Sequence, residues 1–232
     1  MPFFFIDPAY MLCIAPAILL ALWAQWRVHS SFAAASQEPA PLTGAAAARH
    51  ILDSAGATDV EIEAVPGQLS DHYDPRTRVL RLSEGVYGQR SLAAVGIAAH
   101  EAGHALQDAQ GSALMAVRNA AVGVANIGSG IGLLVFMIGL GIALQPVAWL
   151  GIALFAGTVF FQLVNLPVEI DASNRAKAQL VELGIVPAQE MTAVNRVLHA
   201  AAWTYVAATL QSVLTLLYYA SYLTGSGGDS DT

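Results

Sequence analysis

The residues with the clearest chemical potential form the pattern His100-Glu101-Ala102-Gly103-His104. Residues four apart on a helix lie one turn apart on the same face, so the two imidazoles can converge on one metal ion. Zinc held by such side chains lowers the pKa of a bound water to about 7 and polarises a peptide carbonyl. Glu101 lies about 100° round the helix from His100 and can accept the water's proton as a general base. The pattern predicts one zinc ion per chain.

A third metal ligand must come from elsewhere in the chain, because the pattern supplies two. The sequence offers five candidates, His50, His72, His199, Glu169 and Asp171. Zinc proteases often take a carboxylate from a later helix. Asn165 and Ser173 lie four residues on either side of Glu169 and share its helical face, where they could hydrogen-bond the ligand shell. Asp171 is about 200° away and can instead pair with Arg175. This periodicity favours Glu169.

The composition indicates what must hold these residues. The 232-residue chain is 56% hydrophobic and only 12% charged, with a mean hydropathy of +0.55, whereas soluble domains average about 25% charged residues. Four apolar runs approach or exceed the roughly 18–20 residues that cross a bilayer as a helix. These runs cover residues 8–26, 120–144, 147–164 and 200–223. They predict a mainly α membrane protein with four transmembrane helices and a small cytoplasmic α+β region.

The basic residues predict the orientation in the bilayer. All ten Lys and Arg residues fall within residues 27–118 and 165–199. Four crossings place these two segments on one side, which the positive-inside rule makes cytoplasmic, with both termini outside. Asp7 and the absence of basic residues before the first run favour an uncleaved anchor over a signal peptide. The net charge of −7 and the lack of a basic stripe argue against a nucleic-acid partner.

The apolar runs and the charges together divide the chain into six segments. In order, they are an N-terminal anchor (1–28), a cytoplasmic region (29–116), a membrane hairpin (117–164), cytoplasmic helices with the third ligand (165–199), a fourth crossing (200–224) and a flexible tail (225–232). The Gly-x-x-x-Gly spacing of Gly128 and Gly132 predicts close helix packing within the hairpin.

The cytoplasmic region has its own pattern of elements. Residues 30–41 are typical of a linker. Thr43 is a predicted N-cap for a helix that runs through Ala55, with Gly56 as its stop signal. Residues 60–65 and 78–82 alternate with period two and predict two strands paired as a hairpin. A helix over residues 91–109 carries the two histidines. The strand near residues 79–82 could bind an extended peptide by edge pairing.

The tetrahedral intermediate of peptide hydrolysis needs a hydrogen-bond donor beside zinc. The candidates for this oxyanion role are His72, His199 and Tyr205.

Four segments resemble the signatures of bacterial membrane neutral zinc metallopeptidases of the YugP-like family. They are residues 98–107 (AAHEAGHALQ), 166–173 (LPVEIDAS), 71–75 (DHYDP) and 82–87 (LSEGVY). The layout is also similar to the heat-shock and CAAX-processing membrane proteases, which place a ligand Glu just after a membrane hairpin. Those proteins carry Glu-x-x-Ala-Asp, whereas this chain has Ser173 in place of the final Asp. The resemblance implies a gluzincin-like fold and a location in the bacterial inner membrane.

These observations predict a zinc-dependent endopeptidase that acts at the cytoplasmic membrane face on membrane-associated proteins or peptides. The alternative is a zinc-binding membrane scaffold or regulator without proteolytic turnover. Glu101 argues against that alternative, because a purely structural zinc site needs no general base. A transporter is a third class, but the apolar runs hold no Asp, Glu, Lys or Arg that could form an ion path.

Overall fold

The computed structural model describes residues 7–226, which are mainly helical. The strands are β1 (Glu61–Val65), β2 (His72–Asp74) and β3 (Val79–Ser83). The helices are α1 (Pro8–Ala35), α2 (Gly44–Ser54), α3 (Glu84–Tyr87), α4 (Leu92–Ala109), α5 (Ala113–Ile127), α6 (Leu133–Gly141), α7 (Gln145–Glu182) and α8 (Met191–Ser226). One π-helical turn, Gly128–Gly132, joins α5 to α6, and a 3-10 turn, Ala188–Glu190, precedes α8.

The four predicted crossings are confirmed as helices that are long and apolar enough to span a membrane. Within the described range these are Pro8–Ala35, Ala113–Gly141, Gln145–Glu182 and Ala188–Gly225. Two boundaries differ from the prediction. The linker expected from residue 30 is helical as far as Ala35, because no glycine or proline interrupts residues 17–38. The third crossing continues without a break through Pro167 into the predicted helix that follows it.

The chain divides into two compact units. The membrane unit comprises residues 7–23, 117–166 and 204–226 of the described chain. Glycines bring its helices together: a Cβ on Gly132 would lie 2.9 Å from the backbone nitrogen of Phe155, and a Cβ on Gly128 would collide with the Leu154 carbonyl. The predicted close packing at Gly128 and Gly132 is therefore confirmed.

The second unit, here called the metal-site unit, comprises Ala24–Ala116 and Pro167–Trp203. The predicted N-cap Thr43 is confirmed, because it accepts a hydrogen bond from the Ala46 N–H at 3.2 Å. Ser91 caps α4 in the same way and accepts from the Ala94 N–H at 3.2 Å. Small and aliphatic side chains from the sheet and from the surrounding helices form its core. Fully buried members include Ala47, Ile51, Leu80, Leu82, Val95, Val168, Leu180 and Val194.

The three-stranded sheet has the order β1-β3-β2 and corrects the predicted hairpin. The two predicted strands do pair, with Ile62 opposite Leu80, but they run parallel. The antiparallel partner of β3 is the short strand β2. Asp71 ties the start of β2 to the end of β3, since its carboxylate accepts hydrogen bonds from the Ser83 N–H at 2.8 Å and hydroxyl at 3.1 Å. Both edges of β3 are therefore occupied, and the prediction that residues 79–82 pair with a substrate is wrong.

Candidate metal centre

Three side chains of the metal-site unit converge on one point. His100 and His104 lie one turn apart on α4, with their ring centroids 4.8 Å apart. Glu169 comes from α7, and its Oε2 lies 3.3 Å from His100 Nε2 and 3.4 Å from His104 Nε2. The three ligand atoms all fall within 4.8 Å of one another. Glu169 and His104 are buried, at 3% and 8% exposure.

The spacing of these atoms fits a zinc ion. Zinc takes nitrogen and oxygen ligands at about 2.0–2.2 Å in a tetrahedral arrangement, so neighbouring ligand atoms lie about 3.3–3.5 Å apart. The two measured separations between nitrogen and oxygen match this edge length. Two imidazoles and one carboxylate are also the donor set of a common class of catalytic zinc sites. The residues present can therefore hold zinc.

Close approach of α4 and α7 allows Glu169 to reach the histidines. A Cβ on Gly103 would lie only 2.6 Å from the Ala172 carbonyl oxygen, so any other residue at position 103 would push the helices apart. Ala98, Ala99, Ala102 and Ala105 add little bulk to α4, and all four are fully buried. The small residues around the histidines thus set the distance between the elements that carry the ligands.

Each histidine also has a hydrogen-bond partner at Nδ1, the ring nitrogen that faces away from Glu169. His100 Nδ1 lies 3.1 Å from the Ser173 hydroxyl, and His104 Nδ1 lies 3.0 Å from Gln107 Oε1. Such outer-shell bonds orient metal ligands. Ser173 was among the residues predicted from the sequence for this shell, whereas Gln107 was not. A signal was available, because Gln107 follows His104 by three residues and so lies on the same face of the helix.

The charges around His104 favour its protonated form when no metal competes. Burial by itself lowers the pKa of His104, but the hydrogen bond and negative charge of Glu169 outweigh burial and raise the pKa above its ordinary value. The charge of Glu101 contributes in the same direction. Glu101 is 9% exposed and follows His100 directly on α4.

Asp171 lies outside the three-residue cluster, although it is close in sequence. Its Oδ2 accepts hydrogen bonds from Arg175 Nε at 2.6 Å and from Gln107 Nε2 at 2.8 Å. The pairing with Arg175 confirms the alternative that helix periodicity offered for Asp171. Asn165 belongs to the membrane unit, where its Oδ1 accepts a hydrogen bond from Arg118 Nε at 3.0 Å. A role for Asn165 in the ligand shell stays a prediction.

The remaining sequence candidates are also outside the cluster. His50, His72 and His199 are exposed, and His72 Nδ1 lies 2.8 Å from the Ser70 carbonyl. The next residue in β2, Tyr73, faces inward and donates a hydrogen bond from its hydroxyl to Asp108 at 2.8 Å. Because side chains alternate along a strand, His72 faces the opposite way. Tyr205 belongs to the membrane unit. The oxyanion roles of His72, His199 and Tyr205 stay predictions.

Helices able to cross a membrane and a cluster of two histidines and a carboxylate are features expected of a membrane zinc peptidase. Residues 10–224 match the family described as "Putative neutral zinc metallopeptidase". The chain is also 46% identical over 205 residues, 88% of its length and 91% of the relative's, to "Putative membrane protease YugP" of Bacillus subtilis (strain 168). No solved structure matches the chain. The chain belongs to the YugP-like family of neutral zinc metallopeptidases.

Proposed function

We propose that this protein is an integral-membrane endopeptidase of the bacterial inner membrane that hydrolyses peptide bonds at its cytoplasmic face. The observation that carries the proposal is the convergence of His100, His104 and Glu169, with their ligand atoms at zinc-like spacing and Glu101 beside them on α4. The family and its membrane-protease relative support the same activity.

The chain's own residues divide the chemistry among them. One zinc ion per chain, held by His100, His104 and Glu169, would supply the Lewis acidity that polarises a peptide carbonyl and acidifies water. Glu101 accepts the proton of the attacking water and returns it to the leaving amine. Its burial keeps bulk water from competing for that proton.

The composition of the cluster argues for catalysis over a scaffold function. Structural zinc sites are usually closed by four protein ligands, whereas catalytic sites use three and keep one position open. Among the described residues the cluster consists of three potential ligands. The neighbouring Glu101 would have no purpose in a closed structural site. We therefore favour a peptidase over a zinc-dependent regulator without turnover.

The substrate, on this proposal, is an extended segment of a membrane-associated protein or peptide. In the described sheet β2 pairs on one side only, with β3, and β2 also packs against α4. An extended chain can add to such an edge through backbone hydrogen bonds. We propose the outer edge of β2 as the place where the substrate pairs, in place of the occupied strand β3.

Cysteine labelling tests the cytoplasmic assignment, which rests on the distribution of basic residues. In a Cys13→Ala background, Gln37→Cys places a thiol at an exposed position of the metal-site unit, and Ser230→Cys places one beyond the described residues. Membrane-impermeant maleimide should label position 230 in intact cells, and position 37 only after permeabilisation. Labelling of position 37 in intact cells would place the site outside.

Substitution of Glu101 tests the catalytic proposal. Glu101→Gln preserves size and leaves all three ligands, so bound zinc should remain while peptide hydrolysis falls by about 10²–10⁴-fold. The assay compares zinc content with cleavage of a peptide library by protein purified in detergent. Glu84→Gln, the same change at an exposed position, should keep full activity. Equal cleavage by both variants would assign hydrolysis to another base or to a contaminating protease.

A further inference from the structure

We propose that Gln107 is a positioning residue that fixes which ring nitrogen His104 presents to the metal, and that Val168 and Asp171 hold Gln107 in the orientation this requires. The inference rests on the zinc site of the proposed function but not on peptide hydrolysis. It assigns a role to a buried polar side chain, 1% exposed, that the catalytic mechanism does not use.

The partners of the Gln107 amide determine its orientation. Its Nε2 lies 2.9 Å from the Val168 carbonyl oxygen and 2.8 Å from Asp171 Oδ2. A carbonyl oxygen and a carboxylate oxygen only accept hydrogen bonds, so the donating NH2 group must face them. The amide oxygen must then face His104. The reversed amide would set an oxygen against two acceptors, the Val168 carbonyl and Asp171 Oδ2.

This orientation decides the tautomer of His104. Gln107 Oε1 lies 3.0 Å from His104 Nδ1, and because an amide oxygen only accepts, Nδ1 must carry the hydrogen. In the neutral ring the lone pair is then on Nε2, the atom that lies 3.4 Å from Glu169 Oε2. A metal binds an imidazole through that lone pair. The hydrogen bond to Gln107 thereby disfavours the tautomer that carries its hydrogen on Nε2 and could not bind a metal through that atom.

The partner of the other histidine does not have this property. His100 Nδ1 lies 3.1 Å from the Ser173 hydroxyl, and a hydroxyl can donate or accept. Ser173 therefore positions the ring of His100 without selecting its tautomer. Of these two outer-shell contacts, only that of Gln107 dictates the metal-binding form.

Arg175 fixes the Asp171 carboxylate in the position where it accepts a hydrogen bond from Gln107. Arg175 donates from Nε to the same Asp171 oxygen that accepts from Gln107, at 2.6 Å. A second donor from Arg175 bonds Gln110 Oε1 at 2.5 Å, just beyond the end of α4. The Asp171 carboxylate is thus tied to both helices and remains facing Gln107.

The test measures zinc affinity of the full-length protein in detergent by competition with a chelator. Gln107→Leu should weaken zinc binding by about 10–100-fold, the usual cost of removing an outer-shell partner. A matched control is Tyr73→Phe, which removes the hydrogen bond to Asp108, the residue after Gln107. That control should lower the melting temperature while leaving zinc affinity unchanged, which separates positioning from general stability.

A conservative exchange supplies a second readout. In Gln107→Glu combined with Asp171→Asn, a carboxylate oxygen still accepts from His104 Nδ1 and the new amide at position 171 can donate to the other oxygen, while the Val168 carbonyl loses its donor at position 107. This double variant should bind zinc within an order of magnitude of wild type and more tightly than Gln107→Leu. Gln107→Leu binding as tightly as wild type, or the double variant binding no better than Gln107→Leu, would overturn the inference alone. Absence of zinc from the wild type would overturn the proposed function as well.

Discussion

The two units of this protein bury polar side chains in different ways. In the metal-site unit, buried polar groups bond to one another: His104 to Gln107, and His100 to Ser173, with Glu169 between the imidazoles. In the membrane unit, the buried Ser212 hydroxyl donates to a backbone carbonyl one turn earlier on its own helix, and the buried Asn165 amide oxygen accepts from Arg118. The first arrangement leaves ligand atoms facing a common point, whereas the second satisfies polar groups without bringing ligand atoms together.

The apolar side chains of the two units differ as well. The metal-site unit encloses a core of fully buried aliphatic residues. In the four candidate membrane spans, only 17–28% of the most apolar window is buried inside the protein. Apolar side chains can remain on the surface there, because lipid tails are as apolar as the side chains themselves. Contacts in the membrane unit therefore depend on glycine positions, where backbones approach closely. The metal-site unit is therefore stabilised mainly by its buried aliphatic core, and the membrane unit mainly by close packing of its helices.

Loss of a metal ligand is the strongest test of the metal-site unit. Wild-type protein purified in detergent should carry about one zinc per chain, and alanine at His100, His104 or Glu169 should abolish stoichiometric zinc. Elemental analysis measures the content. His199→Ala, a change of an exposed histidine on α8, should retain it. Zinc at wild-type levels in all three ligand variants would show that these residues do not bind the zinc.

A lysine on the surface of each unit tests which solvent that surface meets. Leu134 on α6 is 59% exposed, and Leu69 in the loop between β1 and β2 is 39% exposed. Leu134→Lys should cost about 2.5–3.5 kcal/mol, because it places a charge in hydrocarbon, while Leu69→Lys should stay within about 0.5 kcal/mol. The membrane-integrated fraction and the melting temperature in detergent report the difference. Equal behaviour of the two variants would mean that α6 faces water.

Alanine at glycine separates packing from metal binding. Gly103→Ala and Gly151→Ala both place a Cβ against a neighbouring backbone, that of Ala172 and of Phe136 respectively, and each should cost about 1–3 kcal/mol through overpacking. Only Gly103→Ala should also weaken zinc binding, because it separates α4 from α7. Gly123→Ala, where nothing lies within 4 Å, is the neutral control. Weakened zinc binding in Gly151→Ala would contradict the prediction that the contact of Gly103 with Ala172, and not helix packing in general, controls the metal centre.

The smallest expected difference comes from two serines. Ser91→Ala removes the N-cap of α4 and should lower stability by about 1 kcal/mol. Ser129→Ala removes an exposed hydroxyl that donates to the Asn126 carbonyl in the membrane unit, with an expected change within about 0.5 kcal/mol. Melting curves in the same detergent compare them. A larger loss for Ser129→Ala would assign that hydroxyl a packing role the contacts do not predict.

The features that could be predicted from sequence depend on neighbours within one or two helical turns. The apolar runs located the four crossings, and the cap Thr43 was evident because a cap bonds to a residue three positions on. The i,i+4 spacing placed His100 and His104 on one face for the same reason. Periodicity also separated Glu169 from Asp171, since both lie on one helix.

Only the tertiary structure decided the features that join distant segments. Alternation along residues 60–65 and 78–82 predicts strands but carries no information on direction, and the interposed strand β2 made their pairing parallel. The convergence of Glu169 on the histidines depends on Gly103 meeting the Ala172 backbone, 69 positions further on. Gln107 acquires its role only because Val168 and Asp171 lie beside it. The spacing of residues along the chain determines which face of its helix or strand a side chain occupies. Which side chains it then contacts depends on the distant segment that packs against that face.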